Sequence, residues 1–590
     1  MRRVFLSLLL TCFAVLGVRA SKALSIQQQL TLADGRTVMA RFYGDENVSY
    51  YLTSDNEMIL MSSDGLHTAS AAERDSIGRL CRQIDESNSK ALSRLLDNNA
   101  AINSATEGGN EALVWAHICP SKGNVRIPVI MIDFSDGVTF SFTNEEINDY
   151  FNSEEVHPTS PYSKYKNYYS YGSIGAFFKN CSGGAFTPQF DLYGPYRVSK
   201  KSTDYPNNAD ISSTVREAIQ MADADIDFSQ YDFDNDGYID DLFIFYAGYA
   251  SNTGDPSTAN TIWPKSGVIY DGKAYDGKIA YRYCASNEIA LTPEWTNAFG
   301  GPRMSTGNAC HEFCHTLGLP DLYPTQYSGW SNKDFDNQSM EDWSLMDNGG
   351  WGKYVSFAPT PLSAWERAIF GWTEPIQDLK RREDITLSPL DNGGKALKVP
   401  TSSPDEYFIL ENLPPTTGWY RGLCNNGMLI SHVVWDRNSV YYNSVNNVKG
   451  KPKFTILPAD NYLTSSWNQS SPVEAKTYDE CLAGDTYPGS HNVKEFSNYK
   501  AYCETVNKPI TDIKLNADNT VSFKFMGGTL MGDANADGMV SIADANLVVN
   551  YFLGTVTEID KKAADINRDG AITISDANDI VNIFLNGGTE

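Results

Sequence analysis

Residues 311–321 read His311-Glu312-Phe313-Cys314-His315-Thr316-Leu317-Gly318-Leu319-Pro320-Asp321, and the order of these side chains decides what is built around them. An α-helix turns once in about 3.6 residues, so histidines at i and i+4 project from one face. Two imidazoles so placed can share a zinc ion at about 2.0–2.1 Å, with the intervening glutamate in reach of a metal-bound water. Gly318 can take the left-handed conformation that ends a helix. The chain then doubles back and offers Asp321 as a third, oxygen ligand, leaving the open position that a catalytic zinc site needs. Ser305 or Thr306, both good N-cap residues, is the expected start. The chain has only 7 histidines in 590 residues. A chance His-Glu-x-x-His is then expected on the order of once in a few hundred such chains, and fixed Gly and Asp positions make it far rarer.

This string resembles the immune inhibitor A family of secreted metallopeptidases, which belongs with the metzincins. The resemblance implies zinc on His311, His315 and Asp321, with Glu312 as the catalytic acid–base. It also implies a methionine turn beneath the metal. Trp343-Ser344-Leu345-Met346-Asp347 fits that turn with Met346 as its methionine, about 30 residues after the helix. The usual third metzincin ligand is histidine; Asp321 stands there, as in the resembled family. Tyr323 and Tyr354 are each open to an oxyanion-stabilising role or a core role.

Upstream, Arg2-Arg3, the apolar run Val4 to Val18 and the small-residue site Val18-Arg19-Ala20 read as an export signal over residues 1–20. The run is too short and wrongly flanked to span a membrane. The mature chain is therefore expected outside the cell, secreted or attached to a surface or scaffold, with no membrane span. A net charge of −26 argues against nucleic acid, which calls for a basic face. Residues 21–112 read as a propeptide: two hairpins turning at Asp34-Gly35 and Asp64-Gly65, a helix around Ser76–Leu96, and a polar linker at Asn103–Gly109. Cys81 is either a buried inert thiol or a thiolate capping the zinc. Eight further cysteines (119, 181, 284, 310, 314, 424, 481 and 503) permit disulfides in an exported chain without fixing their pairing.

The catalytic domain is expected over 113–373, opening with the apolar strand Asn124–Phe134. In it, Asp232-Phe233-Asp234-Asn235-Asp236-Gly237 sets carboxylates at alternate positions before a glycine that permits a sharp turn. That is how a chain wraps a calcium ion, with Asp240 or Asp241 adding oxygen. Residues 374–526 alternate like strands between Pro/Gly/Asn turns and form an expected β-rich domain packed on the catalytic unit. His432 in it reads as a structural histidine.

After Gly527-Gly528 comes a repeat. Asp533, Asn535, Asp537, Ser541 and Asp544 recur 32 residues later as Asp565, Asn567, Asp569, Thr573 and Asp576. Each set fills positions 1, 3, 5, 9 and 12 of a 12-residue calcium loop and leads into one amphipathic helix. Residues 531–588 resemble a type I dockerin, which implies two calcium ions and a cohesin-bearing scaffold as partner. Ile542-Ala543 and Ile574-Ser575 depart from well-studied dockerins.

The fold class expected is α+β and multidomain: a metzincin-like zinc peptidase domain, a β-rich domain, and a small all-α calcium-binding dockerin. The function expected is a secreted, zinc-dependent endopeptidase acting on extracellular protein or peptide substrates and attached through its dockerin. The rival is a catalytically inactive protease-fold binding protein displayed the same way; a non-catalytic fold gains nothing from Glu312. A glycosidase or esterase lacks its paired-carboxylate or nucleophile-elbow motif.

Overall fold

The computed structural model describes residues 19–24, 27–45, 48–62, 64–81, 115–154, 170–206, 209–269, 272–298, 300–304, 306–325, 339–352, 356–448, 450–465, 472–497 and 499–586. The apolar part of the export signal, the second half of the helix expected at 76–96, the 103–109 linker and Tyr354 lie outside these residues. The architecture is mixed α/β and multidomain. Contacts divide the chain into two compact units, residues 1–361, 436–452 and 465–475 in one, and 362–435, 453–464 and 476–590 in the other.

The first unit is built on a six-stranded sheet. β1 is Arg19–Ala20. A five-stranded sheet, β2 (Gln27–Thr31), β3 (Thr37–Gly44), β4 (Ser49–Thr53), β5 (Met58–Ser62) and β6 (Gly65–Thr68), follows as an antiparallel meander. The turns expected at Asp34-Gly35 and Asp64-Gly65 connect β2 to β3 and β5 to β6. β7 (Arg126–Phe134), β8 (Gln189–Val198), β9 (Phe243–Tyr249), β10 (Lys265–Val268), the short hairpin β11 (Ala274–Tyr275) and β12 (Lys278–Ile279), and β13 (Arg282–Ile289) complete the unit. The large sheet runs β1-β10-β13-β9-β7-β8. β13, β9, β7 and β8 are parallel neighbours, while β10 is antiparallel to β13 and β1 antiparallel to β10.

β7 and β9 are buried almost throughout, which is why their sequences are continuous apolar runs rather than alternating ones. On one face Ile130, Ile132 and Ile244 pack with Val215, Ala218 and Ile219 of the helix Ser212–Ala222. An aromatic cluster also joins the sheet to the helix Gly307–Leu317: Phe313 meets Phe178 at 5.2 Å and Phe190 at 5.6 Å between ring centroids, and Phe190 reaches Phe243 at 6.1 Å. Burial of such rings stabilises by roughly 2–3 kcal/mol each, so the metal helix is anchored by its apolar side.

The small sheet closes over Ala23, Leu30, Phe42, Tyr51 and Trp263. Gly254 is needed there, because a Cβ would lie 2.5 Å from the Phe42 ring. Cys81 is fully buried among Tyr43, Val48, Tyr50, Leu52, Met58 and Ala69. That corrects the option of a zinc-capping thiolate: an apolar pocket disfavours the charged thiolate, and residues 21–22 stand at the helix instead. Among the described residues no two cysteines are joined in a disulfide.

The second unit holds a five-stranded and a three-stranded sheet around Phe408, Leu410, Met428, Ile430, Ile510 and Phe523. His432 stacks on Phe408 at 4.7 Å and its Nε2 lies 2.9 Å from Glu406 Oε1, a satisfied core histidine. At its end the helices Ile542–Phe552, Lys561–Ala564 and Ile574–Leu585 pack through Ala545, Val548, Ala564, Ala577 and Ile580. Among the described residues no helix is long and apolar enough to cross a membrane.

Candidate metal centre and cleft

The helix Gly307–Leu317 is buried along its whole length. Thr306 is its N-cap, but its hydroxyl pairs with Ser170 Oγ at 2.8 Å instead of capping. The helix can start here only because residue 307 has no side chain: a Cβ would lie 2.1 Å from the Gly350 carbonyl oxygen and 2.2 Å from Ser356 Oγ. Gly307→Ala is expected to destabilise the chain by about 1–3 kcal/mol through overpacking and to weaken metal binding, measured by urea unfolding and metal titration. Gly318 ends the helix at φ 112°.

The reversal that follows brings Asp321 back to the histidines. Its Oδ1 lies 3.1 Å from His311 Nε2 and 3.4 Å from His315 Nε2, and ligand atoms of all three lie within 4.8 Å of one another. The other ring nitrogens face carbonyl oxygens, which only accept. His311 Nδ1 therefore donates to Leu345 O at 2.9 Å and His315 Nδ1 to Leu319 O at 2.7 Å. Both Nε2 atoms are thus turned to one point, the arrangement that orients histidine ligands. Leu345 and Met346 belong to the expected methionine turn: the carbonyl of fully buried Met346 accepts the Leu322 N–H at 2.8 Å, tying the turn to the loop after Asp321.

Asn443 was not foreseen. Its side chain accepts the Asp321 N–H at 2.7 Å and donates to Asp321 Oδ2 at 2.5 Å, while Asn446 holds the Leu322 carbonyl at 2.6 Å. No signal in the asparagine-rich run 443–447 points 122 residues back to the ligand loop.

The electrostatics fit a divalent cation. Burial works against a charge on His311, but the hydrogen bond and charge of Asp321 outweigh it and raise its pKa to about 9. Burial would also raise Asp321, yet His315 and His311 hold it well below the usual carboxylate range. Two buried imidazoles and a buried carboxylate converging on one point form a donor set that a metal can occupy by displacing protons. Burial pushes the Glu312 carboxyl up to about 8, against His311 and Ser21. Glu312 Oε2 is buried with no hydrogen-bond partner among the described residues. Its Oε1 accepts the Ser21 N–H at 2.7 Å and the Ser21 hydroxyl at 2.5 Å.

Ser21 arrives there as the continuation of β1, whose Arg19 and Ala20 pair with Ser266 and Lys265. The Ser21 and Lys22 carbonyls each accept an indole N–H, from Trp263 and Trp351, both at 2.9 Å. The Leu24 N–H donates to Asn252 O at 2.8 Å. Lys22 is buried, with Nζ 3.4 Å from Asp347 Oδ1, and its ammonium lies 5.7 Å from the Tyr323 ring centroid.

The acidic loop at 232–241 brings together Asp232, Asp234 and Asp240, with Gly237 at φ 90°. Asp232 accepts the N–H groups of Asp236 and Gly237 at 3.0 and 3.1 Å and pairs with Lys278. Burial, reinforced by Asp234, Asp232 and Asp236, pushes Asp240 up to about 8. Asp236 pairs with His117 at 2.7 Å. Asp241 points elsewhere, accepting the Cys284 S–H at 3.3 Å.

The two C-terminal loops repeat the same internal pattern. Asp533 accepts from Asp537 N–H and Gly538 N–H at 3.0 and 2.9 Å, and Asp565 from Asp569 and Gly570 at 3.1 and 2.9 Å. Asn535 and Asn567 accept from the same Asp537 and Asp569 amides at 2.8 and 2.9 Å. Asp544 and Asp576 fold back onto the Asn535 and Ile566 amides at 2.9 and 3.0 Å. Ser541 and Thr573 are N-caps in capping boxes with those same aspartates.

Residues 119–373 match the family described as immune inhibitor A peptidase M6, catalytic domain, and residues 531–585 match the dockerin type I domain. The chain is 27% identical over 226 residues to the pre-pro-metalloprotease PrtV of two strains of Vibrio cholerae serotype O1, an alignment covering 33% of this chain and 23% of PrtV. It is 27% identical over 231 residues to Immune inhibitor A of Bacillus thuringiensis subsp. alesti, covering 33% of this chain and 31% of that protein. The matched region thus spans less than a third of either relative.

Proposed function

From a chain that carries an immune inhibitor A-type peptidase M6 catalytic domain and a type I dockerin domain, we propose a secreted zinc endopeptidase held latent by its own N-terminus. The observation that carries this reading is the buried convergence of His311, His315 and Asp321 beside Glu312. His311, His315 and Asp321 would hold zinc, in a metzincin-like domain with Met346 in the supporting turn. When bound there, zinc polarises a scissile carbonyl and lowers the pKa of water towards about 7. Glu312 Oε2 takes the proton of the attacking water and passes it to the leaving amine. The open edge of β10 holds an extended substrate by main-chain hydrogen bonds, as it holds β1.

Ser21 and Lys22 occupy this cleft, which supports a propeptide over 21–112. Export cleavage after Ala20 would leave the Ser21 ammonium on Glu312, engaging the carboxylate that catalysis needs. The dockerin loops would bind calcium through Asp533, Asn535, Asp537, Ser541 and Asp544 and their counterparts Asp565, Asn567, Asp569, Thr573 and Asp576. They would mount the enzyme on a cohesin-bearing scaffold outside the cell. The 232–240 loop would take a third calcium through Asp232, Asp234 and Asp240.

The test is casein hydrolysis with metal analysis. A chain starting at residue 113 is expected to bind one zinc and hydrolyse casein, to stop on chelation and to recover with zinc. The full-length chain is expected to be slower by at least about tenfold. Folded, zinc-loaded protein that cleaves nothing in either form overturns the peptidase reading.

A further inference from the structure

We propose that the cleft contains a pocket built for a basic side chain, lysine foremost, at the second residue downstream of the cleaved bond, with Asp347 as its specificity determinant. This rests on the peptidase reading above. Lys22 shows what the pocket takes. Its side chain is 1% exposed and that of Asp347 0%, so a full-length lysine is swallowed to its ammonium. Asp347 is divided between two tasks. Its Oδ2 accepts from Ser339 Oγ, Met340 N–H and Glu341 N–H at 2.5, 2.9 and 2.7 Å, which fixes the carboxylate in the loop. Its Oδ1 faces Lys22 Nζ at 3.4 Å, and the Tyr323 ring lies beside the same ammonium. A buried carboxylate is costly without a counter-charge. A neutral side chain in this pocket leaves Asp347 without the Lys22 charge, and an acidic one repels it.

The register follows from main-chain contacts alone. The amide nitrogen on Glu312 belongs to Ser21, the group to which a proton is returned when a bond preceding it breaks. Ser21 is therefore the first residue downstream and Lys22 the second. The strand pairing with β10 and the two indole–carbonyl bonds use only backbone. A substrate of any sequence can reproduce them, and its second downstream side chain then enters the Asp347 pocket.

The experiment digests a peptide library with the full-length chain carrying Lys22→Ala, which empties the pocket in place, and reads the new termini by mass spectrometry. The comparison is Lys22→Ala combined with Asp347→Asn. The asparagine amide keeps an oxygen for the Met340 and Glu341 N–H groups while the charge is gone. Lysine and arginine are expected at the second downstream position at least about tenfold above alanine, and the second substitution should erase that preference. No basic preference, or one unchanged by Asp347→Asn, overturns the pocket while leaving the peptidase intact. If neither chain cleaves any peptide, Ser21 still closes the cleft on Glu312, and the peptidase reading stands or falls on the chain starting at residue 113. The pocket is then judged by urea unfolding of Lys22→Met, Asp347→Asn and the double variant in the full chain. Non-additive losses support it, and additive ones overturn it.

Discussion

Glu312→Gln is expected to lower casein hydrolysis by about 10²–10⁴-fold while the chain keeps its zinc. Glutamine has nearly the shape of glutamate and keeps an oxygen to accept from Ser21, so the buried site should fold unchanged. It cannot take a proton at Oε2, the atom that has no other partner among the described residues. Asp321→Ala is the contrasting case: it removes the carboxylate that joins the two imidazoles, so metal and activity should fall together. Activity and zinc content, measured side by side on both variants, separate an acid–base from a ligand. Retained hydrolysis in Glu312→Gln would remove the basis of the proposed mechanism.

Calcium removal is expected to unfold residues 531–586 while the rest of the chain stays folded. The core of this segment is small, mostly alanines with Val548 and Ile580, and a domain of about 60 residues buries too little surface to have stability to spare. Each loop also gathers three aspartates whose mutual repulsion a bound cation relieves. A ligand present at 100 to 1,000 times its Kd stabilises by about 2.7–4.1 kcal/mol. Amide exchange in Ile542–Phe552 and Ile574–Leu585 should therefore quicken by about 10²–10³-fold on chelation and slow again with calcium. Exchange indifferent to calcium would make the loops ordinary acidic turns.

The parts legible in the sequence are those encoded by short, fixed spacings. His311, His315, Gly318 and Asp321 come together because one helical turn and one left-handed residue suffice. The paired loops at 533 and 565 announce themselves by repetition. Where spacing left two choices, the structure made them. Asp240 and Asp241 are adjacent, yet Asp240 joins the loop while Asp241 turns to Cys284. Contacts made across the chain were not legible. Asn443 braces Asp321 from 122 residues away, and Ser21 meets Glu312 across 291. Lys22 stands just past what reads as an export signal, where nothing in its neighbours announces a buried partner. Asp347 looked like one more residue of the turn around Met346.

On the proposed reading, the segment at Glu312 is covalently joined to the domain it would block, and its occupancy would depend on that tether. A tethered segment experiences a local concentration of about millimolar order, so modest contacts suffice to keep it seated. A single cut between residues 81 and 115 breaks none of the described contacts in the cleft, yet turns an intramolecular plug into a separate ligand that dilution can carry away. On this reading latency is a matter of connectivity as much as of fit. The same molecule would stay quiet where it is crowded and intact, and awaken once nicked and dispersed.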